Sequence, residues 1–107
     1  IIESLEKAIR ILQEETENLK RLGEEKSVRE AEYRKALAKE ILNLRAEKMS
    51  VTLIGDISRG NVADLKMRRD VADSLYDACK ENVKTIRVEI ETLRSLLAWQ
   101  KEEMKNA

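Results

Sequence analysis

The chain has 107 residues, 39% of them charged and 3% aromatic, with 21 basic residues against 21 acidic, no histidine and no proline. That length holds one ordinary domain, and the missing histidine removes the commonest acid–base group and metal ligand. Zero net charge lacks the basic excess of a typical nucleic-acid binder, and the single Cys79 cannot close an internal disulfide.

Ala, Glu, Lys, Leu and Arg dominate, the composition of long helices and coiled coils. No apolar run approaches the ~20 residues that cross a bilayer, and no secretory signal is present. The expected location is cytoplasmic, with no membrane partner. The chain begins at Ile1 rather than Met, which reads as a segment of a longer protein.

Helix one is expected over about residues 1–49. Ile2, Leu5, Ile9, Leu12 and Leu19 fall at alternating steps of three and four, with Thr16 between them, the spacing of a coiled-coil seam. The next seam positions are Gly23, Lys26 and Glu30, none of them suited to such a seam; Tyr33, Leu37, Ile41 and Leu44 then restore it. Ser27 and Glu30 have the form of a capping box, and Gly23 could end a helix, so a kink is one reading. A continuous helix with a local stutter is the expected one, since an interior Gly costs only ~1 kcal/mol.

A corner containing a short helical turn is expected over about residues 50–61, "SVTLIGDISRGN". Thr52 is the expected N-cap of a turn over Leu53–Arg59, with Asp56 near its positive end. Gly60 is the expected left-handed residue and Asn61 the expected N-cap of helix two, with Asp64 three residues on. A strand over "VTLI" has no second strand to pair with.

Helix two, about residues 62–105, carries the longest seam: Leu65, Ala72, Tyr76, Cys79, Val83, Ile86, Ile90, Leu93, Leu97 and Met104. Two long helices joined by a short corner bury their seams by lying antiparallel. The expected fold is therefore all-α: one domain over residues 1–107, a long coiled-coil-like antiparallel hairpin that oligomerises into a multi-helix bundle. Its better-packed end is expected near the corner, where both apolar stripes widen.

Beside the seam of helix two, Val71, Leu75 and Ala78 form a second apolar row, and Leu96 and Trp99 project beside it further on. A two-helix hairpin cannot cover such residues, and contiguous exposed apolar surface marks contact sites. They are the candidate protein interface, and a homo-oligomer, with a dimer favoured, is the simplest way to cover them. Trp99 equally suits packing within the hairpin.

Chemistry is sparse. Cys79 lies on the seam and reads as a small core residue. "GDISRG" lacks the lysine and spacing of a phosphate loop. Asp70, Asp73 and Asp77 share one helix face but continue into Lys80, Lys84 and Arg87, the pattern of a solvated, ion-paired surface. No catalytic residue, cofactor or metal is expected, and the chain reads as a non-enzyme. Arg59, Lys66, Arg68 and Arg69 cluster near the corner and are the candidate nucleic-acid contact under an alternative reading, an accessory factor in DNA metabolism.

From Ala31 onward, "AEYRKALAKEILNLRAEKMSVTLIGDISRGNVADLKMRRDVADSLYDACKENVKTIRVEIETLRSLLAWQKEE" resembles small helical proteins of unknown function encoded by phages and prophages of low-GC Gram-positive bacteria. The matching residues are Val51 to Ile54, Asp56, Arg59 and Gly60 at the corner, then Ser95 to Leu97 and Trp99. The resemblance implies a helical fold and a phage setting, in the cytoplasm of a bacterial host, near DNA replication or recombination. It carries over no active-site residue.

Overall fold

With no proline to remove a backbone donor, the helices run almost without pause. The computed structural model describes all 107 residues. Helix α1 spans Ile2–Ala46, α2 spans Val51–Asn61 and α3 spans Ala63–Asn106. No strand is present. The fold is an all-α helical hairpin with a short helix at its corner. Its two compact units are Leu22–Tyr76, and Ile1–Arg21 with Asp77–Ala107.

In the terminal unit, α1 and α3 are antiparallel around a cluster of Ala8, Ile86 and Ile90, with Leu5, Ile9, Leu12 and Leu93 packed against it. Ala8 has the smallest side chain of the set. Ile2, expected on the seam, is 60% exposed. Further along the same unit Cys79 and Val83 are buried, as the seam of helix two requires.

The corner unit is held differently. Leu22, Leu44, Ile54, Val62 and Ala72 are its buried apolar residues, but α1 and α3 also meet through a ladder of polar pairs. Lys26 Nζ lies 3.3 Å from Asp73 Oδ1 and 4.7 Å from the centre of the Tyr76 ring. The Arg69 guanidinium sits 4.5 Å from the centre of the Tyr33 ring, with its Nε 3.6 Å from Glu30 Oε2. A cluster of buried residues packed on one another lies in the terminal unit, whereas the buried apolar residues of the corner unit stand among polar pairs. The reason lies in the non-seam residues Gly23, Lys26 and Glu30. They face the amphipathic side chains Tyr76, Asp73 and Arg69, whose stems and rings fill the interhelical space while their polar tips find partners.

Helix α1 is continuous through Gly23. Ser27 makes no capping box; its hydroxyl donates to the Gly23 carbonyl at 3.1 Å, a back-bond within the helix.

Several punctuation marks in the corner fall elsewhere than the sequence suggests. Helix α1 ends at Ala46, and the left-handed residue is Lys48, with φ 57°. Its N–H donates to the Arg45 carbonyl at 3.0 Å, and that of Met49 donates to the Leu44 carbonyl at 3.2 Å. This pair of bonds is a Schellman motif, which satisfies two of the carbonyls a helix end leaves free. Gly60 is helical, and no glycine has positive φ.

Helix α2 starts one residue before Thr52. Ser50 is its N-cap and makes no side-chain cap bond; its Oγ lies 2.8 Å from Thr52 Oγ1 instead. Asp56 is in mid-helix, bonded to Arg59. Asn61 closes α2 rather than capping α3, and its amide donates to the Glu40 carboxylate at 2.6 Å. The chain turns from α2 into α3 at Val62 alone, with φ −111° and ψ 15°. Ile54 and Ser58, four residues apart, form the buried face of α2.

Candidate functional site

The exposed apolar row lies on the stretch of α3 within the corner unit. Val71 and Leu75 are each 52% exposed, and Met67, one turn earlier, is 60% exposed. Steps of four keep these side chains on nearly one line of the helix, and Ala63 extends it. Elsewhere around this stretch of helix Ala72 is buried and Tyr76 and Arg69 are half-buried.

Shallow grooves flank the row. On one side Lys66, Asp70 and Ser74 line it together with Ala63, Met67, Val71 and Leu75. On the other side Arg68 and Ala72 of α3 and Glu25 and Arg29 of α1 line it. The Arg29 guanidinium is tied to Glu25 and Glu32, both at 2.9 Å. Hydrogen bonds from Arg29 to Glu32 and Glu25 raise its already high pKa. The row thus has an apolar centre and a charged rim, the arrangement of an interface patch.

Val71 and Leu75 stand together in this row as the sequence indicates. Ala78 is exposed on α3 within the terminal unit, as are Leu96 at 45% and Trp99 at 62%. The sequence reading missed Met67 and Ala63. The signal was present in the four-residue spacing 63, 67, 71 and 75, but Met67 sits between charged neighbours and broke the apparent row.

The basic candidates differ in their partners. Arg59 Nη2 bonds Asp56 Oδ1 at 2.7 Å. Arg69 is committed to Asp70 at 2.9 Å, to Glu30 and to the Tyr33 ring. The hydrogen bond to Asp70 raises its already high guanidinium pKa. Only Lys66 and Arg68 of the four lack a carboxylate partner. Asp70 is taken by Arg69 and Asp73 by Lys26, and no three acidic, histidine or cysteine side chains converge on a point that could hold a metal ion.

Cys79, in the terminal unit, is a buried free thiol. Its Sγ lies 3.6 Å from Glu15 Oε2 and 3.7 Å from the Glu15 carbonyl, and the Asn82 amide donates to the same carboxylate oxygen at 2.9 Å. Burial, and after it the neighbouring Glu15 charge, push the thiol pKa up. A nucleophilic cysteine needs the opposite shift. No helix is long and apolar enough to cross a membrane. A scan against protein-family models, a search of curated proteins and a search of solved structures each find no match to this chain.

Proposed function

We propose that this chain is a non-catalytic helical interaction protein that works as a homodimer in the cytoplasm of a bacterial host, as a phage or prophage product. The observation that carries this reading is the row Met67, Val71 and Leu75, each at least half exposed on α3. A second copy covers the row, and the dimer presents its remaining helical faces to a protein partner. The phage setting rests on the corner and "SLLAW" resemblance alone.

Magnitudes set the expected strength. Completing the burial of a half-exposed Val, Leu or Met gains about 1 kcal/mol. Six such side chains in a symmetric pair give a gain of the same order as the rotational and translational cost of association. Zero net charge adds no long-range repulsion. The dimer is therefore weak and concentration-dependent, its population rising with protein concentration.

Light scattering across a concentration series tests the reading. The wild type is expected to move from monomer toward dimer mass as concentration rises. Val71→Asp with Leu75→Asp is expected to stay monomeric with unchanged helical circular dichroism. A wild type that is monomeric throughout would remove the homodimer and leave the row free for a different protein.

A further inference from the structure

We draw no further inference here: the strongest candidate, the shallow groove of the terminal unit lined by Ile9, Leu12 and Ile90 with Arg87, Glu91 and Arg94, carries nothing because nothing in the structure shows what covers it and Glu91 offsets the charge that would select an anionic occupant.

Discussion

Gly23 in α1 lies directly under the ring of Tyr76 in α3: a Cβ built on Gly23 would stand 3.4 Å from Tyr76 Cε2, with its next neighbour, Tyr76 Cδ2, at 3.8 Å. Those are contact distances, with room for one methyl group and no more. Gly in a helix interior costs about 1 kcal/mol relative to Ala, because its unfolded chain has more freedom to lose. Gly23→Ala is therefore expected to stabilise the protein by up to about 1 kcal/mol, read as a rise in thermal midpoint. Gly23→Leu, which must displace the ring, is expected to lower the midpoint. A fall with alanine as well would mean that the two helices are closer than this geometry allows.

The same pair shows what could and could not be read from the sequence. Apolar spacing in helix two located the buried residues Ala72, Cys79, Val83, Ile86 and Ile90, because one face of a long helix must repeat to stay buried. The interruption at Gly23, Lys26 and Glu30 was visible as a weakening. Its meaning depends on Tyr76, Asp73 and Arg69, roughly forty or more residues away in sequence, and no local pattern supplies it. The exposed pair Val71 and Leu75 was legible for the same periodic reason, as apolar residues beside a seam already complete.

Capping residues were less legible because propensity is local and weak. Gly60 and Asn61 are favoured in left-handed and capping positions, yet both remain helical here, while the left-handed position falls to Lys48. Packing decides this: α2 must reach Asn61 for its amide to meet Glu40, and α1 must end where Leu44 is buried and its carbonyl is taken by Met49.

That placement gives a second expectation. Lys48, at φ 57°, holds a conformation that costs an L-residue with a Cβ about 1 kcal/mol and glycine almost nothing. The Schellman bonds to Arg45 and Leu44 use backbone groups only, so they survive substitution. Lys48→Gly is expected to stabilise the fold by up to about 1 kcal/mol, while Lys48→Val, with a branched Cβ, destabilises it. Urea midpoints of the two variants should fall on opposite sides of the wild type; midpoints on the same side would contradict the left-handed assignment.

Ser58 is the most buried residue of the chain, at 1% exposure. Its hydroxyl donates to the Gly55 carbonyl at 3.1 Å within α2, so removing the hydroxyl strands no distant partner. What matters at this position is size. Ser58→Ala is expected to be tolerated within about 1 kcal/mol. Ser58→Leu forces three extra carbons into a filled site and is expected to cost about 1–3 kcal/mol. Chemical denaturation of both distinguishes the two effects, and a harmless leucine would show that α2 is free to move away.

Cys79 makes alkaline pH a probe of the terminal unit. Its thiol pKa is raised in the folded state, first by burial and then by the Glu15 charge, with Arg21 opposing. The unfolded thiol ionises near its ordinary value of about 8.5. Between that value and the higher folded one, the unfolded state has lost its proton while the folded state keeps it. The unfolded state therefore binds fewer protons, and unfolding becomes easier as pH rises. The stabilising share of the neutral thiol is complete below about pH 8.5 and is lost as pH rises through the folded pKa. Wild type is thus expected to lose more stability than Cys79→Ala over pH 8 to 10, each compared with its own value at pH 7. Glu15→Gln removes the second cause of the shift and should speed the thiol's reaction with a disulfide reagent at fixed alkaline pH. If Glu15→Gln leaves that rate unchanged and the two stability curves stay parallel, the contact between Cys79 and Glu15 does not govern the thiol.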